Sequence, residues 1–343
     1  MERIPTVRDV ARRAGVSTAT VSRALSDSGK LHPDTLARVM RAVDELGYLP
    51  NGAARGLISR RTRVFALCFL DFGDPDSDAG DDAMLYTDGV VRGMERAARE
   101  RGYAILIGAV QDSAAAQDLA VSLASRSDGI VLLGQAAPAS AIQRLKRLPV
   151  VVVAGRCEDD QGRVDQVQVD NAGGITALTR HLIDVHGHRD LLFLGGPTDS
   201  PDAAERLDAF RVATADLSPR EPLRGDFTQH TGRTAADTLA AAALPDAIVC
   251  ANDQMAIGLI AGLQTRGIRV PEDVAVVGFD GIDLGRHIQP PLTTVRQPMQ
   301  PIGAAAVTLL ERRLLTPELP ATRLRLPINL QIRTSCGCRP DTR

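Results

Sequence analysis

No basic segment leading into an apolar one opens this 343-residue chain, and no apolar run approaches the roughly 20 residues that span a bilayer, so neither export nor membrane insertion is expected. Cysteine is scarce. The five residues, Cys68, Cys157, Cys250, Cys336 and Cys338, are odd in number, widely spread and without a CxxC pair. That favours neither a disulfide framework nor a zinc site, and it fits a reducing cytoplasm. No GxGxxG follows the first strand-like run and no GxxxxGK[ST] occurs, so dinucleotide-binding and P-loop readings lack their fingerprint. No nucleophile elbow is present either, since "GLISR" and "DPDSDAG" lack the GxSxG setting. No catalytic residue, cofactor or metal is therefore assigned.

The chain does have length and apolar content enough for a small front domain and a larger body. A net charge of −2 hides an asymmetry: residues 1–63 carry 12 Lys/Arg against 6 Asp/Glu, whereas the remainder is acidic. Positive charge concentrated on one small segment is the footprint of a polyanion-binding surface.

That segment contains "TVRDVARRAGVSTATVSRAL", Thr6 to Leu25. Thr6 with Asp9 three residues on forms a capping-box start, Gly15 stops a two-turn helix, and Ser17 is placed to cap a second. Two short helices about a glycine turn describe a helix-turn-helix, whose second helix enters the major groove. The DNA-facing set is Thr6, Ser17, Thr18, Ala19, Thr20, Ser22 and Arg23, with Arg23 suited to a guanine and the small side chains to thymine methyls or phosphates. "HPDT" opens a third helix, with Pro33 at its first position and Leu36, Val39, Met40, Val43 and Leu46 at helical spacing, and Gly47 closes it.

From Val64 onward short apolar runs ("VFALCFL", "AILIGAV", "GIVLLG", "VVVVAG", "QVQVD", "DLLFLGG", "AIVCA", "VAVVGFD", "LTTVRQ") alternate with amphipathic segments, which predicts parallel sheets covered on both faces. Such sheets bind ligands beyond the carboxyl ends of their strands. Arg156, Asp226, Phe227, Asn252, Asp253 and Asp280 sit there, with Arg206 in the loop and helix after "DLLFLGG". A guanidinium, an amide, carboxylates and an aromatic ring together suit a polyhydroxylated ligand. His186 and His188 in "DVHGHRD" are read as capping a helix end, and Cys336 and Cys338 in "SCGC" as structural or incidental. Asp74, Asp76 and Asp78 alternate as in a calcium loop, but Ala79 and Leu85 stand where glycine and glutamate are required.

The headpiece motif, continued by "ELGYLPNGAARGL", resembles the LacI/GalR family of bacterial transcription regulators. The resemblance runs almost to the C-terminus. It implies an all-α helix-turn-helix headpiece (1–47) and a hinge helix (48–63). A periplasmic-binding-protein-like α/β body (64–338) follows, made of two doubly wound parallel-sheet subdomains, about 64–166 with 297–325 and about 167–296 with 326–338. It also implies that the hinge folds on DNA, with Leu57 wedged into the minor groove and Asn51 and Arg55 near the backbone. A segment so short and carrying two glycines is a poor isolated helix. For the body it implies effector contacts from Arg206, Asn252 and Asp280, aromatic stacking by Phe227, and Tyr86 near the position of a family aromatic, with Asp253 capping the following helix. The acidic stretch 71–83 departs from the family pattern. The expected partners are a pseudo-palindromic double-stranded operator, a small effector of the sugar class, and a second copy of the chain. Only "RPDTR" follows Cys338, which predicts a dimer rather than a tetramer. A purine-responsive regulator, a sugar-transport protein and a sugar-modifying α/β enzyme are the alternatives. The basic headpiece argues against the last two.

Overall fold

The computed structural model describes residues 5–26, 31–48, 61–70, 85–110, 113–134, 139–145, 147–157 and 162–339. Asn51, Arg55 and Leu57 of the hinge and the acidic stretch 71–83 lie outside the described residues. The chain divides into two units, Met1–Arg63 and Val64–Arg343.

The first unit holds α1 (Val7–Ala14), α2 (Thr18–Ser26) and α3 (Pro33–Leu46). Thr6 donates through both its backbone N–H (3.0 Å) and its hydroxyl (2.6 Å) to the Asp9 carboxylate, and Gly15 ends α1 in the left-handed conformation. The Ser17 hydroxyl accepts from the Thr20 N–H at 3.1 Å, capping α2. Val10, Ala11 and Ala14 pack with Val21, Ala24, Val39, Ala42 and Val43 into one small core. Met40, expected on the buried stripe of α3, instead faces outward because Val39 and Val43 define that stripe.

In the second unit, β1 (Val64–Leu70), β2 (Ala104–Val110), β3 (Gly129–Leu133), β4 (Val150–Val153), β5 (Asp165–Val169) and β10 (Arg323–Leu326) form a six-stranded parallel sheet ordered β10-β5-β4-β3-β1-β2. A second sheet, ordered β11-β9-β8-β7-β6, joins β6 (Leu191–Leu194), β7 (Ala247–Cys250), β8 (Ala275–Asp280), β9 (Thr293–Arg296) and β11 (Asn329–Gln331). The runs of β3, β4 and β7 become fully buried central strands, as sheets covered on both faces require, whereas "AILIGAV" forms the partly exposed edge strand β2. Two edge strands escaped the sequence reading. β10 ("RLRL") alternates exposed arginines with half-buried leucines, and β11 ("NLQ") is short and pairs antiparallel with β9, so the second sheet is not wholly parallel.

Helices α4 (Leu85–Glu100), α5 (Ser113–Ala124), α6 (Ala139–Arg144), α7 (Asn171–His186), α8 (Pro201–Ala213), α9 (Gln229–Ala240), α10 (Asp253–Gln264) and α11 (Met299–Leu315) complete the unit. The chain passes between the sheets three times: after β5 into α7, after β9 into α11, and from β10 to β11. α11 returns to the first sheet, where Ile302, Ala306, Val307 and Leu310 share a core with Val90, Met94 and Ala97 of α4. The two helices touch through glycine: a Cβ on Gly303 would lie 2.1 Å from the Val90 carbonyl oxygen, and one on Gly93 2.0 Å from that of Gln300. α9 and α10 repeat the device with Gly232 and Gly258, against Met255 and Gln229. Gly303→Val must push α11 off α4 and is expected to lower unfolding free energy by about 3 kcal/mol, read from denaturant midpoints. A midpoint equal to wild type would show that the helices can separate freely.

Candidate functional site

On the headpiece, Ser17, Thr18, Ala19 and Arg23 are exposed, and Ser22 is half-buried. Thr18, Ala19, Ser22 and Arg23 occupy one face of α2, as expected of a groove-reading helix. Thr6 and Thr20 are used differently. Thr6 is tied to Asp9, and the Thr20 hydroxyl lies 2.9 Å from that of Ser17, so both shape the helix starts. Behind this face Arg13 donates to Glu45 at 2.7 Å, joining α1 to α3.

Between the two sheets of the body lies a cavity of about 130 Å³, far above the ~10–15 Å³ that one water needs. The first-sheet side is largely apolar, with Phe69, Leu70, Leu133 and Ala154, and adds Tyr86 and Thr87 from α4. Polar groups come mainly from the other side. Arg206, in the middle of α8, is 4% exposed. Its Nε donates to Asn171 Oδ1 at 2.8 Å and one terminal nitrogen to the Ala251 carbonyl at 2.7 Å, while its guanidinium carbon stands 3.9 Å over the Phe279 ring centroid. Asp202 and Asp280 flank it at 3.7 Å. One turn apart on α8, Asp202 and Arg206 share a helix face. Sequence reading missed Asp202, although this carboxylate–arginine spacing was the available signal.

Asp280 ends β8 at φ +128°, a conformation that L-residues rarely adopt. Asp253 holds this corner. Fully buried, it accepts from the N–H groups of Gly281 (2.8 Å) and Ile282 (2.9 Å) and from the Thr294 hydroxyl (2.5 Å). The expected helix cap is therefore reassigned: Asn252 caps α10, accepting from the Met255 N–H at 3.0 Å, and its amide donates to the Phe227 carbonyl at 2.9 Å. Asn252 still lines the cavity, but it serves by fixing the loop that presents Phe227, itself at φ +73° with its ring against Gly196. Asp226 is a turn brace, accepting from the backbone and hydroxyl of Thr228. Arg156 is not brought to this cavity. It is exposed and lines a separate polar groove with Gln168, Glu205, Arg323 and Arg325, three residues beyond the end of β4 and after the left-handed turn at Ala154 (φ +51°). Gln297, which follows β9 at a crossing, was also missed. Its amide donates to Asp280 at 2.7 Å, and its buried Oε1 accepts no hydrogen bond from the described residues.

Burial raises the Asp280 carboxyl to about 7, outweighing the lowering by Arg206, and Asp253 adds to the rise. Burial also raises Asp202, and burial with Asp202 and Asp280 nearby raises the Tyr86 phenol. Below about pH 4 Asp280 is protonated in both folded and unfolded chains. Above that the unfolded chain ionises first, so the contribution of Asp280 to stability falls with rising pH until it levels above about pH 7. Asp280→Asn is expected to flatten this decline in melting temperature between about pH 4.5 and 7.5. A wild-type slope in the variant would place the titration elsewhere.

Comparison with known proteins follows the same division. Residues 6–51 match the model for bacterial regulatory proteins of the lacI family, and residues 179–336 match a periplasmic binding protein-like domain. The HTH-type transcriptional regulator CelR of Thermobifida fusca is 35% identical, over 97% of this chain and 98% of its own. The chain belongs to the LacI family of transcription regulators. The HTH-type transcriptional repressor CytR of Escherichia coli (strain K12) is 33% identical over 90% of this chain and 89% of its own. A CelR–cellobiose complex superposes with a TM-score of 0.71 at 33% identity, covering 96% of this chain and 99% of that one. The lac repressor dimer bound to operator and an anti-inducer shares the fold, with a TM-score of 0.83 at 24% identity over 97% and 99% of the two chains. As a LacI-family member the chain is a DNA-binding transcription regulator, with its helix-turn-helix in residues 7–26 and its effector-type fold in the body. No helix among the described residues is long and apolar enough to cross a membrane.

Proposed function

We propose that this regulator is a cytoplasmic, non-catalytic repressor that binds a pseudo-palindromic operator as a homodimer and is released by a small sugar held in the cavity between the two sheets. The carrying observation is the cavity's polar side. The unpaired Gln297 Oε1 requires a donor, the flanking carboxylates accept hydroxyls, the Arg206 guanidinium is fixed on Phe279, and the Phe227 ring offers a face to C–H groups. A polyol with an apolar ring face supplies both partners at once. The cellobiose found with the related CelR supports the sugar class. Residues 1–47 read the operator. In residues 48–63, Leu57 enters the minor groove with Asn51 and Arg55 beside it, and 64–338 bind effector and pair the subunits.

Sugar binding between the sheets favours one relative arrangement of the two halves. It weakens the DNA-bound state by the difference in its affinity for the two arrangements. The test is thermal unfolding of the purified protein with mono- and disaccharides, sugar phosphates and purines, followed by operator release by each stabilising compound. A saccharide at about 100 times its dissociation constant should add about 2.7 kcal/mol and release operator. Stabilisation by purines alone would overturn the sugar assignment. On the DNA side, Arg23→Ala is expected to cost about 1–3 kcal/mol of operator affinity and to relax base preference at one position per half-site, measured by fluorescence anisotropy on operator variants. Equal weakening on all sequences would reduce Arg23 to a phosphate contact.

A further inference from the structure

Two features read separately in the sequence meet in three dimensions. At the C-terminal end of α7, His181 and His186 face the "SCGC" turn that follows β11, and the Nε2 atoms of both imidazoles and the thiols of Cys336 and Cys338 all lie within 4.8 Å of one another. The two nitrogens are 3.3 Å apart, and the sulfur–nitrogen separations are 3.6 Å (Cys336–His181), 3.5 Å (Cys338–His181) and 3.4 Å (Cys338–His186). A tetrahedral ion with metal–sulfur bonds near 2.3 Å and metal–nitrogen bonds of about 2.0–2.1 Å demands nitrogen–nitrogen edges of about 3.4 Å and sulfur–nitrogen edges of about 3.6 Å. Four of the six edges meet that demand, and the other two lie within 4.8 Å. We propose that His181, His186, Cys336 and Cys338 form a Cys2His2 site for a structural zinc ion.

The surroundings fit the assignment. Two thiolates balance the double charge of the ion and two neutral imidazoles complete the shell, so a neutral unit results and two thiol protons pass to solvent on binding. Four protein ligands leave no open position, which marks a structural site, and thiolate with imidazole suits zinc over the hard cations. Cys336 is fully buried, and the Thr293 hydroxyl donates to its sulfur at 3.1 Å, the outer-shell contact that orients a ligand. Gly337 lies at φ +101°, and a Cβ there would come within 3.3 Å of the His186 ring, so only glycine lets both thiols turn to one side. The neighbouring Ser335 pins the same turn to the second sheet, donating to the Val276 carbonyl at 2.6 Å and accepting from the Thr293 N–H at 2.8 Å. The two cysteines keep the structural role expected of them, and His186, read from sequence as a helix cap, gains a ligand role that sequence alone did not show. The partners lie about 150 residues away, and His181, five residues before His186, was not singled out.

The ion would staple the C-terminal turn to α7, whose opposite end carries Asn171, the partner of Arg206. The test is elemental analysis of full-length untagged protein, purified reduced and without chelator, expected to give about one zinc per chain and less than about a tenth in Cys338→Ser or His181→Ala. Because those variants could fail to fold, wild-type protein is also stripped and reloaded with cobalt(II). Tetrahedral d–d absorption together with a thiolate-to-cobalt charge-transfer band is the expected spectrum. Metal-free protein that gives no such spectrum overturns the proposal. So does an intact mass lower by two hydrogens with a Cys336–Cys338 disulfide, and a bound metal other than zinc overturns the zinc assignment.

Discussion

Arg206→Met is expected to remove the effector response while operator binding persists. In the folded chain this guanidinium is held by Asn171, the Ala251 carbonyl and the Phe279 ring, with a carboxylate on either side. Its loss takes away the cavity's fixed donor and leaves Asp202 and Asp280 buried without their cation. Truncating one member of a buried charged set costs about 2–5 kcal/mol of binding, a loss of at least about 30-fold in affinity. Calorimetric titration with the saccharide that stabilises wild type reads the loss, and operator release at saturating sugar reads the consequence. Affinity within threefold of wild type would move the effector out of this cavity. Melting of the variant alone separates lost binding from lost folding, since methionine fills the stem of the arginine but not its head.

The largest effect on stability is expected from Asp165→Ala. Asp165 opens β5 and is 2% exposed. Arg313 of α11 donates to its carboxylate through Nε (3.2 Å) and a terminal nitrogen (3.0 Å), and the Thr322 N–H adds a third bond at 2.7 Å. The same guanidinium also donates to the carbonyls of Pro317 and Leu319, so it ties together the turn between α11 and β10. Alanine leaves a buried cation without its partner, a loss of about 3–5 kcal/mol, or on the order of 10 °C in melting temperature. Asp165→Leu combined with Arg313→Met buries no charge and should recover most of it. If the double variant melts no higher than Asp165→Ala, the turn depends on the guanidinium's carbonyl contacts rather than on the ion pair.

What could be read from sequence followed from locality. The headpiece was legible because its caps and glycine turn act within four residues, and Thr6, Gly15, Ser17 and Gly47 all stand where their chemistry placed them. The central strands were legible because burial on both faces demands unbroken apolar runs. β10 and β11 were not, because these short edge strands interleave arginine, asparagine and glutamine with leucine and so lack an apolar run. Strand-end logic placed Arg206, Phe227, Asn252 and Asp280 at the cavity, yet it could not rank their tasks. Whether Asn252 or Asp253 caps α10 depends on Thr294 and the 281–282 backbone, reached only through the sheet. The same limit hid Gln297 and the Cys2His2 cluster, and it let Arg156 stand as a cavity residue.

The order in which the chain emerges matters for a molecule whose first sheet waits for an edge strand and a helix made after most of the second sheet. α4 presents Val90, Met94 and Ala97 to α11, and β5 awaits β10, but both partners are translated only after strands β6 to β9 of the second sheet. The nascent first half therefore carries an uncovered apolar helix face and an open strand edge for more than 120 residues of elongation, from the end of β5 to the start of α11. At about 5–20 residues per second this is an exposure of several seconds, long enough for holdase chaperones to engage. Chains stalled before residue 299 should be the aggregation-prone species during synthesis.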